Sequence, residues 1–538
     1  MARGHRRVVL LEQEPAARDH VGESLSPTAW QAALRLGGSA LQSAGFCPKM
    51  GATFSWGDAA PAWTVSYPMI DDQPPAYQVR RAQFDAILLA AAAAAGAEVR
   101  LGWRVEQILP SGDGTVGVEA TTPDGESVRL AAPWVVDARG KTGADKSRPA
   151  HRAGPAEPGS TALWGYWRRS AGSSRSGSVN SLLIGRPEHC LWYYPLDEQA
   201  TVASVGAVFP VRAPDRLTDT AQQHYRAAVS SCPELQPVLS GAVLDGPVRF
   251  CDASAGASGQ MAGDGWFLVG DAACFVDPLL TPGVELAIRH GTLAAQCLLT
   301  LLDRKEDRAS VLELYDYAVR RDYETFVRLS RNLYRAAATA GAPAVPAAGQ
   351  SRVPPADGQF AFLSLISGLP RSELAVRLGE YMSLRTPVAE RGGAAIVLGE
   401  KEGFAFLGWL FHKDRLAAER AAQIAGQLTE NCVLLPAPGA AIGEEPFQSA
   451  DGGQQLTFRP AVRNRLGDRF EATPELAALF AAMGEQGRPY AEARLLVAQA
   501  PPESGAPCSS SFHAWIELLA DHALVEWAPA GKGDICDA

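Results

Sequence analysis

Gly265-Trp-Phe-Leu-Val-Gly270-Asp271-Ala-Ala-Cys-Phe-Val-Asp277-Pro278-Leu-Leu-Thr281-Pro282-Gly283-Val284 is the stretch on which the reading of the fold turns. Trp266 to Val269 is a short apolar run that ends in Gly-Asp, and a helical pattern from Gly283 to Leu302 follows the turn. This order puts Asp271 at the C-terminal edge of a parallel sheet, where open α/β sheets bind their ligands. A carboxylate there accepts hydrogen bonds from ribose or ribityl hydroxyls. Backbone amides at the helix start suit an anion, a pyrophosphate or a negatively charged flavin ring. Glycine and aspartate also serve ordinary strand–turn–helix connections. The complete run at this spacing favours a cofactor site.

Working outward, Val8–Glu12 reads as a buried parallel strand ending in a carboxylate. Pro27–Leu36 reads as a helix stopped by Gly37-Gly38, and Gln83–Ala95 as a second helix closed by Gly96. Glu98–Leu101 is a strand, residues 104–132 a β-meander or hairpin with turns at Ser111–Gly114 and Pro123–Gly125, and Trp134–Asp137 the next strand. A polar loop, Lys141–Ser160, leads to a β-rich region: Thr161–Trp167, Ser178–Ile184, Cys190–Leu196 and Thr201–Phe209. Period-two alternation in the last two predicts a sheet with one buried face. Arg308–Ala338 continues helically, and residues 340–358, rich in Pro, Gly and Ala, form a linker. Helices are expected at Phe360–Leu384 and Phe404–Leu428. Gln455–Pro460, Thr473–Met483, Ser511–Ala520 and Ala523–Trp527 have a winged-helix-like order.

Composition narrows the function classes. The 538 residues carry 49 Lys+Arg against 59 Asp+Glu, a net charge of −10, which argues against a general nucleic-acid binder. No run of 18 or more apolar residues suggests a membrane span. The nine cysteines are scattered and never in CxxC spacing, so neither a zinc site nor a disulfide framework is expected, and a reducing cytoplasm is the expected compartment. No signal peptide is read at the N-terminus.

Further segments share the order of one family. Asp19-His-Val-Gly-Glu23-Ser-Leu25, Lys49-Met-Gly-Ala-Thr-Phe-Ser-Trp56-Gly57, Gln78-Val-Arg-Arg81 with Phe84-Asp85, and Val135-Val-Asp137-Ala-Arg-Gly140 precede Gly270-Asp271, Asp277-Pro278 and Gly283. Across about residues 5–340 the chain resembles FAD-dependent monooxygenases, specifically their flavin-dependent halogenase branch (the tryptophan halogenase type).

The resemblance implies an α/β fold: a glutathione reductase-type, Rossmann-like FAD-binding domain over residues 1–339. Its β-rich substrate region spans about 159–250, and a helical and C-terminal α+β cap region occupies 359–538. It implies FAD, O2 and chloride or bromide as reactants, with halide attacking a flavin C4a-hydroperoxide and the resulting electrophile modifying an electron-rich aromatic group, as in antibiotic biosynthesis. A separate flavin reductase is the expected partner, since no second nicotinamide-binding fingerprint is present. The aromatic substrate is a small molecule, a peptide or a carrier-bound group.

Lys49 matches the lysine that handles the electrophile; a desolvated amine is a nucleophile and a desolvated ammonium a hydrogen-bond donor. Glu12 matches the acidic residue on the adenosine ribose, or is a strand-end carboxylate in water. Arg81 contacts flavin or pyrophosphate, or is a helix-start charge. Asp137, Gly270, Asp271, Asp277, Pro278 and Gly283 are assigned to the cofactor, Thr281 and Gly283 to the halide turn, and Trp56, Trp192 and Tyr194 to the substrate.

Three departures qualify this assignment. The GxGxxG loop is absent, and only 11 residues precede Glu12. The expectation is that the first strand and helix of the unit are lacking through a misplaced start, with a degenerate protein as the other reading. The halogenase-type WxWxIP segment reads Cys190-Leu-Trp192-Tyr-Tyr194-Pro195. Pro282 lacks the amide that the halide turn uses, and Leu280 stands where tryptophan-specific members carry glutamate. A hydroxylase that uses no halide, and a non-catalytic or maturation-type flavoprotein, remain the alternatives.

Overall fold

The computed structural model describes residues 6–56, 62–66, 76–109, 116–141, 159–169, 180–211, 218–304 and 307–338, with most of 432–529. The expected linker at 340–358 and the helices Phe360–Leu384 and Phe404–Leu428 lie outside the described residues, as does most of Ser511–Ala520. The architecture is mixed α/β, and packing separates two units. The first takes in the described residues up to 295 and 318–338; the second takes in 296–317 and the described residues from 432 onward.

In the first unit β1 (Val9–Glu12) pairs in parallel with β6 (Glu98–Leu101), and β10 (Val135–Asp137) pairs in parallel with β18 (Trp266–Leu268). The reading of Val8–Glu12 as a buried strand is corrected: no residue of β1 is buried, and Val9 is 37% exposed. A strand of a parallel sheet is buried only when neighbours and helices cover it, and among the described residues β1 has a strand on one edge alone. Between the parallel pairs, β7 (Arg104–Leu109), β8 (Val116–Thr121) and β9 (Ser127–Ala132) form the expected antiparallel meander.

Helix α1 (Pro27–Gln42) starts as its sequence dictates, with Ser26 capping the amide of Ala29 and proline at the first position. The predicted stop at Gly37-Gly38 is a kink instead. Gly38 takes φ 56°, and the chain resumes helix to Gln42. Helix α2 (Arg81–Ala94) runs close to its expected bounds.

The largest element is a sheet of seven strands. Its order is β15 (Ala242–Asp252), β11 (Thr161–Arg169), β14 (Val202–Phe209), β13 (Cys190–Pro195), β12 (Ser181–Gly185), β3 (Gly51–Trp56) and β4 (Trp63–Ser66). Small antiparallel pairs complete this part: β2 (Cys47–Lys49) with β5 (Ala76–Gln78), and β16 (Gly256–Ala257) with β19 (Cys274–Phe275). In addition β17 (Ala262–Gly263) pairs with β18.

The expectation of one buried face on the large sheet is also corrected. β13 is buried throughout, and β14 in all but its last residue. The alternation read in the sequence is one of chemistry, not of exposure. Leu163, Ile184, Leu191, Tyr193, Val205 and Ala207 form an apolar face packed on α3 (Asp219–Ser231) and α4 (Leu235–Leu239). The opposite face carries Trp164, Tyr166, Trp192, Tyr194 and Ser204, register partners on β11, β14 and β13. Long helices α5 (Gly283–Asp303) and α6 (Arg308–Ala338) follow. Among the described residues no helix is long and apolar enough to cross a membrane.

The second unit is built on β20 (Cys432–Pro436), β21 (Ala441–Phe447), β22 (Thr457–Arg463), β23 (Arg469–Glu471), β24 (Arg488–Pro489) and β25 (Val525–Pro529), in two three-stranded sheets. Helices α7 (Pro474–Met483) and α8 (Tyr490–Ala498) pack around Leu434, Leu479 and Val525. Helix α8 was not expected from the sequence.

At Gly206 the seven-stranded sheet has no room for a side chain. A Cβ on Gly206 would lie 2.0 Å from the Trp192 ring, itself buried. Gly206→Ala is expected to destabilise the protein by about 1–3 kcal/mol, the range for overpacked cores, as measured by urea denaturation. Unchanged stability would mean that the indole has room to move.

Candidate functional site

The segment Asp19–Leu25 is stitched to the start of α2. Asp19 accepts from the Ala82 amide at 3.2 Å, and Arg81 grips Asp85 through Nε and Nη2, both at 3.0 Å. Arg81 Nη1 donates to the Val21 carbonyl at 2.6 Å, and His20 meets Asp85 at 3.2 Å. Burial alone would raise the Asp85 carboxyl, but His20 and Arg81 outweigh it and hold it below its ordinary range. Gly22 takes φ 99°, and a Cβ there would lie 2.6 Å from Arg81 Nη1, so glycine is what lets the chain pass the guanidinium. Arg81, read as a flavin or pyrophosphate contact, thus has three nitrogens engaged in holding this clasp.

Beyond the clasp, Leu25 N–H donates to Tyr77 and Val79 N–H to Glu23, at 3.0 and 2.7 Å. These bonds lay residues 23–25 along β5, whose other edge pairs with β2. Lys49 ends β2, is only 5% exposed, and donates from Nζ to the Leu25 carbonyl at 3.4 Å.

The stretch that opened the sequence reading forms a turn against α5. Gly270, at φ 56°, comes so close that a Cβ would sit 3.2 Å from Ala287 Cβ. Asp271 presents an exposed side chain, yet surrounding protein pushes its carboxyl up, while Lys141, Arg81, His20 and His290 pull it down. These basic groups give the turn a field that favours anions.

Asp277 is buried at the start of the short turn Pro278–Leu280. It accepts from the Leu279 amide at 2.9 Å and from the Tyr334 hydroxyl at 2.7 Å. Burial pushes its carboxyl up to about 6 against the pull of both bonds. Thr281 follows at φ 56°, one of two described non-glycine residues with positive φ, which stores backbone strain in this turn. After Pro282, Gly283 begins α5. In its first turn the buried Glu285 accepts from the Ser26 hydroxyl at 2.8 Å, tying the turn to the cap of α1.

Other predicted residues stand apart from this turn. The Glu12 carboxylate accepts from its neighbour, the Glu14 amide, at 2.9 Å. Asp137 is buried and gripped by the Arg139 guanidinium at 2.9 and 2.8 Å. Trp56 donates to the Leu333 carbonyl at 3.0 Å and packs on Gly185, which seals it into the core. Trp192 and Tyr194 stack with ring centroids 6.0 Å apart on the polar sheet face, and Trp192 donates to Ser204 at 3.4 Å.

Glu23 had been quoted only as part of a motif, and it is the principal residue the sequence reading missed. Buried against Tyr166 and Ser204, its carboxyl is raised by burial to about 7, opposed by bonds from those hydroxyls and the charge of Arg81, while Asp19 adds to the rise. Its position between the clasp and β5 was the available signal. Glu23 Oε1, Ser24 Oγ and Gln78 Oε1 are buried and make no hydrogen bond among the described residues. Groups of this kind call for a polar partner.

Residues 44–328, more than half of the chain, match the FAD binding domain family, and the chain belongs to that family. Relatives that it resembles include flavin-dependent halogenases. It is 30% identical over 332 residues to the tryptophan 2-halogenase of Chondromyces crocatus, covering 59% of this chain and 60% of that protein. It is 25% identical over 359 residues to a Pseudomonas fluorescens chlorinase of 1H-pyrrole-2-carbonyl groups on a peptidyl-carrier protein, covering 62% of this chain and 80% of that one. The crystal structure of CmlS, a flavin-dependent halogenase, shares the fold at a TM-score of 0.63 and 20% identity over 98% of this chain and 92% of that one. The unmet polar atoms of Glu23, Ser24 and Gln78, with the basic surround of Asp271, fit the polar ring and diphosphate of FAD.

Glu23 binds its proton more tightly folded than unfolded, because its carboxyl lies at about 7 against an ordinary 4.5. The stability this contributes is complete below 4.5 and is lost as pH rises through 7. Asp277 and Asp468 act in the same sense. Glu23→Gln is expected to flatten the fall in stability over that window. Denaturation curves at mildly acidic and mildly alkaline pH check this, and an unchanged slope contradicts it.

Proposed function

We propose that the protein is an FAD-dependent oxygenase of the halogenase type acting on an electron-rich aromatic substrate. The observation that carries this reading is Lys49, a buried lysine set beside Glu23–Leu25 within a chain whose relatives are flavin-dependent halogenases. Bound reduced FAD supplies the activation of oxygen. A separate flavin reductase supplies the reduced cofactor, and the α/β core is of the glutathione reductase type, a reading supported by the two parallel strand pairs.

In this assignment Lys49 holds the electrophile by a hydrogen bond or as an amine nucleophile, away from water. The turn Thr281–Gly283 faces the flavin, with Pro278 and Asp277 shaping it. Asp271, Gly270 and Glu12 hold FAD, with Asp137 and Arg81 fixing the segments around them. Trp192 and Tyr194 wall the aromatic substrate. The substrate is free or borne on a peptide or carrier; the similarity to a carrier-protein chlorinase supports the last form.

A hydroxylase reading is favoured by two specific features. Cys190 replaces a tryptophan of the halogenase-type segment, and Pro282 removes one amide donor from the halide turn.

Full-length protein loaded with FAD, a flavin reductase and bromide should yield a brominated phenolic product by mass spectrometry. Oxygenated product alone would establish the hydroxylase, and protein that stays colourless with FAD would overturn both. Lys49→Met should lower brominated product at least about a hundredfold, the scale of loss for a positioned catalytic group, while the flavin absorbance of the purified protein stays unchanged.

A further inference from the structure

The polar face of the large sheet ends, on the β15 side, in two donors that the cofactor assignment does not use. Trp164 and Arg249 are register partners on β11 and β15, so their side chains leave the same face of the sheet. Trp164 is 4% exposed, and neither its Nε1 nor Arg249 Nη1, both buried atoms, donates a hydrogen bond among the described residues. The Arg249 guanidinium carbon stands 4.9 Å from the centroid of the Tyr166 ring. Stacking on that ring fixes the plane of the fork and leaves its N–H edges available.

A half-buried guanidinium without a counter-charge is unfavourable, and an unmet indole N–H beside it adds a second desolvated donor. Two such donors on adjacent strands match the two oxygens of a planar carboxylate. Glu23 meets the hydroxyl of Tyr166, and its raised carboxyl limits repulsion at neutral pH; Asp245, the register partner of Tyr166, is bound by Arg168 at 2.7 Å.

We propose that Arg249 and Trp164 form a subsite for a carboxylate carried by the aromatic substrate. The proposal rests on the oxygenase reading for the aromatic part of that molecule, and on the sheet face alone for the anionic part. A free halide would meet the same donors, without needing their planar arrangement.

The test is calorimetric titration of the FAD-loaded full chain, in halide-free buffer, with 4-hydroxyphenylacetate and its neutral isostere 4-hydroxyphenylacetamide. The acid is expected to bind at least about tenfold more tightly than the amide, the scale of a charge-assisted pair. Arg249→Met and Trp164→Phe should each weaken the acid and leave the amide unchanged. Trp164→Phe keeps the ring and removes only the donor, and circular dichroism with flavin absorbance confirms that each variant is folded.

Failure of the acid to bind, equal binding of acid and amide, or an acid preference that survives Arg249→Met would overturn the subsite. So would bromide binding that Arg249→Met abolishes when the acid and amide bind alike. Product spectra for the same two compounds separate this inference from the oxygenase reading. Bromination of both with equal affinities ends the subsite and keeps the function. Acid preference without any oxidised or brominated product ends the function and keeps the subsite.

Discussion

A sheet buried on both faces, with only one of them apolar, imposes the constraint from which the rest of the molecule follows. Leu191, Tyr193 and Val205 meet α3 and need nothing more than close packing. Their neighbours in the chain, Trp192, Tyr194 and Ser204, point the other way into a region equally closed to water. Hydrogen-bonding groups in such a place must be met by protein or by a ligand. Part of the demand is met internally: Gln78 donates to Ser181 at 2.6 Å and Trp192 to Ser204. What is left over, on Glu23, Ser24, Gln78, Trp164 and Arg249, has no hydrogen-bond partner among the described residues.

The covering of that face is held by charge instead of by apolar contact. The Arg81–Asp85–His20 clasp fixes residues 19–22, and those residues deliver Glu23 to the sheet and the Leu25 carbonyl to Lys49. Ser26, the next residue, caps α1 and at the same time binds Glu285 in the first turn of α5. One eight-residue passage therefore connects the lysine, the buried carboxyl and the strained turn at Thr281. A displacement of the clasp would be felt at all three places.

The sequence made the α/β order legible because strands and helices there follow local pattern. α5, α6 and the meander fall where periodicity and turn residues place them. Burial was harder to read. Val8–Glu12 has the composition of a central strand, and only its pairing with β6 alone reveals its exposure. The alternation in β13 and β14 was visible, but period two cannot distinguish a wet face from a dry polar one. Lys49 and the turn at Asp277 were singled out through motif order. Glu23 was not singled out, since the burial that raises its carboxyl comes from packing against residues more than a hundred positions away, Tyr166 and Ser204 among them. Arg249 was invisible for the same reason: its place beside Trp164 and over Tyr166 is a property of strand register.

Cys190 and Asp277, distant in sequence, meet in space. Cys190 occupies the polar-facing register of β13, two residues before Trp192, and its thiol is buried. Burial raises that thiol above its ordinary range, and the nearby Asp277 raises it further, while the Arg186 side contributes the opposing pull. Tyr334 in turn is pushed up by burial and by both Asp277 and Cys190, while its hydroxyl bonds to Asp277. Cys190, Asp277 and Tyr334 thus lie in one buried cluster. A substitution at Cys190 would therefore be felt at Asp277 and Tyr334 together.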